Sequence, residues 1–210
     1  MRVLSHRGYW KTPEEKNQPV AFERSFAMGF GTETDVRDVG GRLAIAHDPP
    51  LELGLSCEEM LAIHGAHDSG LPLAINIKAD GLQRLLGEAL QKHGVTNYFL
   101  FDMSVPDAVQ SIKAGLRIFT RHSDVEPAPV LYADAAGVWV DAFFDDCWIT
   151  PAAIRTHLDA GKEVCLVSPE LHKRPHLPLW TRLRDEGLQN WEGLMLCSDI
   201  PEEAVTFFEL

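Results

Sequence analysis

The chain has 210 residues, 45% of them hydrophobic and 24% charged, with a formal net charge of −12. That is enough apolar residue for one sizeable core, and it excludes a binder of nucleic-acid phosphates, which needs a Lys/Arg-rich surface; an anionic ligand would have to meet a local basic pocket. Cys57, Cys147, Cys165 and Cys197 form no CxxC pair and read as reduced thiols, and no apolar run has the length of a signal peptide or a membrane span, so a cytoplasmic protein is expected.

Residues 1–5 are a short apolar strand that ends on His6, Arg7 and Gly8, where the glycine permits a sharp exit. Residues 11–19 read as a loop, and 20–28 as a helix stopped by Gly29. A second strand carries Gly31-Thr32-Glu33-Thr34-Asp35-Val36-Arg37, and a turn over 38–41 with paired glycines folds it back into Leu43-Ala44-Ile45-Ala46-His47-Asp48. Ser56-Cys57-Glu58-Glu59 has the capping-box pattern and opens a helix that runs to about Gly65. Residues 71–78, 98–102, 116–121 and 137–141 read as strands, separated by helices at 81–93 and 104–114 and a weak one at 127–135. Thr150 as cap and Pro151 at the first helical position start a helix that ends at Gly161. A strand at 163–168, a helix at 179–190, a strand at 193–198 and a helix at 201–208 complete the chain.

The eight strand-helix alternations predict an α/β fold, a single-domain (β/α)8 TIM barrel with a small hairpin after its second strand. A doubly wound open sheet explains the alternation equally well, but the polar endings of the first, second, third, fourth and sixth strands converge only on the C-terminal rim of a closed barrel. No repeat, low-complexity tract or linker interrupts the sequence, so one domain over 1–210 without an inserted cap is expected.

Glu33 and Asp35 lie two residues apart on a strand, so both carboxylates leave it on one face and repel each other unless a cation intervenes. Oxygen ligands of this kind suit Mg²⁺ or Ca²⁺; a solvated edge strand is the plain alternative. By the barrel rule His6, Arg7, Glu33, Asp35, His47, Asn76 and Lys78 crowd one rim. A carboxylate-held metal, cationic side chains for the remaining negative charge and two imidazoles for proton transfer together fit the cleavage of a phosphodiester. Taken singly, His6 also reads as a hydrogen-bonded core histidine, and Arg7 and Lys78 as salt-bridge partners of the two acids. Asp102 and Asp141 end strands on the same rim without an assigned role. His64 with His67, and His172 with His176, have spacings a metal could use. Glu14-Glu15 and Asp145-Asp146 read as solvated faces.

The pieces Ser5-His6-Arg7-Gly8, Glu33-Thr34-Asp35, Ala46-His47-Asp48, Asn76-Ile77-Lys78 and Leu196-Cys197-Ser198-Asp199-Ile200-Pro201, in this order from first strand to last helix, resemble the glycerophosphodiester phosphodiesterase family of phosphatidylinositol-phospholipase-C-like barrels. The resemblance implies a metal-dependent phosphoric diester hydrolase acting on a small-molecule phosphodiester. It assigns His6 and His47 to general acid/base catalysis, Glu33, Asp35 and Asn76 to one divalent cation, and Arg7 and Lys78 to the phosphate. Alternatives are a lyase-type member forming a cyclic phosphate, and a non-catalytic barrel that binds a phosphorylated sugar or lipid head group. The chain departs from the family at Asn76, where an acidic third ligand is usual, and in the short connection from His47 to Ser56, where many members insert a cap.

Overall fold

The computed structural model describes residues 1–68 and 70–210. The chain forms two compact units, 5–118 and 1–4 with 119–210.

In the unit of residues 5–118, the end of β1 (Arg2–His6) is followed by α1 (Pro19–Ala27), β2 (Gly31–Val39), β3 (Arg42–Ile45) and α2 (Cys57–His67). Then come β4 (Leu73–Ile77), α3 (Gln83–Lys92), β5 (Tyr98–Phe101) and α4 (Val105–Lys113). Gly40 and Gly41, with φ of 57° and 76°, make the turn between β2 and β3, a conformation that side chains with a Cβ resist. The capping box at Ser56 forms as its sequence predicts: Ser56 Oγ accepts from Glu59 N at 3.2 Å and Ser56 N donates to Glu59 Oε2 at 2.9 Å. Strand order is β5-β4-β2-β1, with β3 antiparallel on β2. The parallel register sets Glu33 against Ala74, and Asp35 against Asn76, which in turn faces Phe101.

Alternation along β2 decides which residues meet the helices. Thr32 Oγ1 lies 2.8 Å from Ser25 Oγ of α1, and Ser5 Oγ completes a buried hydroxyl triad at 2.7 Å from Ser25 and 3.1 Å from Thr32. Ser5, Thr32 and Thr34 therefore point toward α1, and His6, Glu33 and Asp35 point to the other face. Phe22, Phe26, Met60, Leu61, Leu86 and Leu90 supply the apolar faces of α1, α2 and α3 and are buried.

The unit that contains residues 119–210 is built from β6 (Phe119–Ser123), β7 (Gly137–Asp141), α5 (Pro151–Asp159), β8 (Glu163–Val167), α6 (Leu177–Asp185), β9 (Leu194–Ser198) and α7 (Pro201–Phe208). Strand order is β1-β9-β8-β7-β6, with β6 through β9 pairing in parallel and in chain succession. Val138, Val140, Val164, Leu166, Leu194 and Leu196 form its core with Trp180, whose indole N–H donates to Ser168 Oγ at 2.8 Å.

With β3 set aside, eight strands follow one another in this order, and the fold is the expected (β/α)8 barrel, with the expected hairpin. One expected element does not form: within residues 127–135 only 130–134 make a turn, and among the described residues no helix separates β6 from β7. Pro127 and Pro129 remove backbone donors, and side chains capture the local carbonyls instead, Thr120 Oγ1 that of Val130 and Lys162 Nζ that of Ala135, each at 2.6 Å. The sixth strand also starts later than expected, at Phe119, because Leu116 N still closes α4 on Ser111 O at 3.0 Å.

Candidate active site

The first acid, Glu33, is 2% exposed and the second, Asp35, fully buried. Burial and the neighbouring Asp35 push the Glu33 carboxyl up to about 7, against the pull of His6, Arg7 and Lys78. A pair of this kind, taken out of water, demands positive charge.

Two cationic side chains answer, and an imidazole stands beside them. Arg7 follows β1 with a left-handed φ of 59°; its backbone N–H donates to Glu33 O at 2.9 Å and also to Glu33 Oε2 at 3.2 Å, and its guanidinium Nε lies 2.9 Å from Asp35 Oδ2. That contact is a charge contact without hydrogen-bond alignment. Lys78, at the end of β4, holds its ammonium 3.5 Å from Asp35 Oδ1, and His6 Nε2 lies 3.8 Å from Glu33 Oε2. The strand ends of β1, β2 and β4 thus bring His6, Arg7, Glu33, Asp35, Asn76 and Lys78 together.

His47 is placed differently. Ala46 N donates to Asp35 O at 3.1 Å, so the backbone that leads to His47 runs beside the site. The His47 ring itself is 45% exposed and pairs through Nδ1 with Asp48 Oδ1 at 2.9 Å.

The oxygens available for a hard cation are visible as unmet hydrogen-bond demand. Asp35 Oδ1 and Asn76 Oδ1 are both buried and receive no hydrogen bond, although their residues are 0% and 7% exposed. Orphaned acceptors of this kind are uncommon in folded proteins. Two carboxylates and an amide oxygen are the donor set of Mg²⁺ or Ca²⁺ sites, so these residues fit such an ion.

Two supporting residues are not among the candidates drawn from the sequence. Asn17, in the loop before α1, donates from Nδ2 to Asp35 Oδ2 and accepts from Thr34 Oγ1, both at 2.9 Å, so it fixes the end of β2. Arg37, two residues beyond Asp35 on the same strand face, donates to His47 O at 2.8 Å and to Lys78 O at 2.6 Å, tying together the two segments that carry those residues. Strand alternation places Arg37 with Glu33 and Asp35 and could have singled it out; Asn17 sits in an aperiodic loop with no such cue.

Each member of the two histidine pairs has a partner of its own. His64 bonds Leu71 O at 2.9 Å and His67 bonds Glu23 at 2.6 Å, while His172 bonds Asp141 at 2.6 Å and His176 bonds Glu203 at 3.0 Å. Glu15 and Asp146 are likewise not simply solvated, being held by Arg24 at 2.8 Å and by Arg174 and Arg182 at 3.2 Å each. A cavity of about 440 Å³ lined by Arg42, Ser56, Glu58 and Lys92 lies at the hairpin-turn end of β3, away from these residues.

The fold and the acid-lined strand ends define a barrel with a built polar site, and comparison with known proteins shows what that fold resembles. Neither family sequence models nor curated proteins match the chain. Solved structures do. A glycerophosphodiester phosphodiesterase from Parabacteroides distasonis has a TM-score of 0.76 at 16% identity, covering 99% of this chain and 96% of its own. An Oleispira antarctica phosphodiesterase in complex with the product sn-glycerol-3-phosphate has a TM-score of 0.69 at 18% identity, covering 100% and 97%. A Ca²⁺-dependent phosphatidylinositol-specific phospholipase C from Streptomyces antibioticus has a TM-score of 0.58 at 11% identity, covering 99% and 95%. At these identities the likeness is one of fold. Among the described residues no helix is long and apolar enough to cross a membrane.

Proposed function

We propose that this chain is a metal-dependent phosphodiesterase that cleaves a small phosphodiester, a glycerophosphodiester being the model substrate, with one barrel domain over 1–210 and no cap. The observation that carries the reading is the buried Glu33 and Asp35 pair beside an orphaned Asn76 oxygen, ringed by Arg7, Lys78 and His6, in a fold shared with phosphodiesterases. One divalent cation, Mg²⁺ or Ca²⁺, would be held by Glu33, Asp35 and the Asn76 oxygen; when bound it would polarise a phosphoryl oxygen.

The protein's own groups do the rest. Arg7 and Lys78, the cations beside Asp35, would hold the phosphate oxygens. Of His6 and His47, one removes the proton of the attacking hydroxyl and the other delivers a proton to the departing alkoxide oxygen. The nucleophile is water, giving a phosphomonoester and an alcohol, or a neighbouring substrate hydroxyl, giving a cyclic phosphate and the same alcohol. A second reading, a barrel that binds a phosphorylated head group without turnover, is favoured by the same Arg7 and Lys78 ion pairs and by the uncharged Asn76.

The test is a panel of phosphodiesters incubated with Mg²⁺ or Ca²⁺ and with chelator, the products read by phosphorus NMR. Metal-dependent release of a phosphomonoester or cyclic phosphate is expected. Absence of turnover across the panel, combined with thermal stabilisation by the same compounds, would replace the enzyme by the binding protein.

A further inference from the structure

We infer that Asp102 is a positioning residue of the cation site, holding the Asn76 amide with its oxygen toward Asp35 and supplying from the next strand the negative charge that position 76 lacks. This role rests on the cation site proposed above, beside which Asp102 directly follows β5.

Asn76 pairs with Asp35 on one side and with Phe101 on the other, so the residue after Phe101 stands next to the Asn76 side chain. An extended residue there would aim its side chain to the opposite face of the sheet. Asp102 instead has a φ of 66°, in the left-handed region that few residues with a Cβ adopt, and Asp is among the more tolerant. With this backbone the carboxylate reaches Asn76, whose Nδ2 donates to Asp102 Oδ2 at 3.3 Å.

That bond decides which way the amide faces. A flipped amide would set the Asn76 oxygen against the Asp102 carboxylate, two acceptors without a proton between them. In this orientation Asn76 Oδ1 is buried and receives no hydrogen bond, and Asn76 pairs in the sheet with Asp35, whose Oδ1 likewise receives no hydrogen bond and has the Lys78 ammonium at 3.5 Å. Two such oxygens on adjacent strands form a pattern that a hard cation completes. The arrangement parallels the carboxylates that orient metal-ligating histidines from behind and raise their affinity by charge. Here the amide is the ligand and Asp102 stands behind it.

The experiment is calorimetric titration of Ca²⁺ and of Mg²⁺ into the whole protein and its variants, with no substrate present. Asp102→Gly removes the carboxylate while accepting the left-handed backbone without strain, and Asp102→Asn keeps an acceptor for Asn76 and removes the charge. Asp102→Gly is expected to weaken cation binding by about tenfold to a hundredfold, the usual cost of losing such a supporting group, and Asp102→Asn by less. Asn76→Glu in the Asp102→Gly background is expected to restore affinity. The same change in the wild-type background, where the introduced carboxylate would face that of Asp102, is expected to gain less.

Wild-type affinity in both Asp102 variants overturns the assignment and leaves the cation site standing. So does failure of Asn76→Glu to rescue Asp102→Gly. If the wild-type chain binds neither ion, the cation site and the role of Asp102 fall together. Cation binding that depends on Asp102 in a protein that turns over no phosphodiester upholds the assignment and removes only the enzyme reading.

Discussion

Two sets of strand ends in this molecule carry acids, and they are used differently. At the ends of β7 and β8, Asp141 is satisfied by His172 at 2.6 Å, and Glu170 Oε1 accepts from Ser198 Oγ at 2.6 Å and from Asp199 N at 3.2 Å. At the ends of β2 and β4, Asp35 and Asn76 each keep a buried oxygen without a donor, and Glu33 has a raised pKa. A carboxylate at the rim of a barrel is therefore not by itself a sign of function. The sign is buried acceptor capacity that stays unmet in one place, beside the Arg7 and Lys78 ion pairs, and is met by donors in the other.

The widest expected gap between the two regions is catalytic. His6→Ala and His47→Ala should each lower kcat/KM by about a hundredfold to ten-thousandfold with the fold retained, whereas His172→Ala should leave it near wild type. Full activity in either His6→Ala or His47→Ala would end the acid/base assignment, and a comparable loss in His172→Ala would erase the contrast. Next in size is cation binding: Glu33→Ala and Asp35→Ala should each abolish the calorimetric signal for Mg²⁺ and Ca²⁺, because neither acid alone makes a site. Undiminished binding in both would return the pair to a structural ion network.

A pH series sharpens the comparison further. The folded Glu33 carboxyl is raised from 4.5 to about 7, so it binds its proton more tightly folded than unfolded. Its contribution is then fully present below about pH 4.5 and is lost as pH rises through about 7, a loss on the order of 3 kcal/mol without added cation. Glu33→Gln should unfold at a higher temperature than wild type at about pH 8, with the advantage gone near pH 5, and added Ca²⁺ should narrow the gap by favouring the charged form. Parallel Tm profiles for the two proteins would contradict the raised pKa. The smallest expected effect lies in the satisfied region: His172→Ala leaves Asp141 without its donor and should cost about 1–3 kcal/mol in denaturant unfolding, with cation binding unchanged.

The strand-helix alternation was readable from periodicity and punctuation, and the glycine pair at 40–41 and the capping box at Ser56 formed as their chemistry requires. So did the meeting of His6, Arg7, Glu33, Asp35, Asn76 and Lys78, because strand ends and side-chain alternation follow from the fold class. What escaped depends on contacts between distant residues. The segment 127–135 loses its helix to carbonyl capture by Thr120 and Lys162, and Asn17 matters only because its loop folds back over the end of β2. The exposed ring of His47 marks the other limit: the segment after β3 was legible, but the direction of one side chain at its end was not.

The hydroxyl triad of Ser5, Ser25 and Thr32 has a consequence for how errors are kept out of the sheet. A slip of one residue exchanges the two faces of a strand, and three interlocking hydroxyls add a directional demand against it. Sliding β2 by one position would turn Glu33 and Asp35 against α1, burying two carboxylates among apolar side chains, and would leave Ser5 and Ser25 without the hydroxyl of Thr32. The polar latch on the outer face thus works as a proofreading device for the inner one, making the mis-registered chain far less stable than the correct one before any ligand is bound.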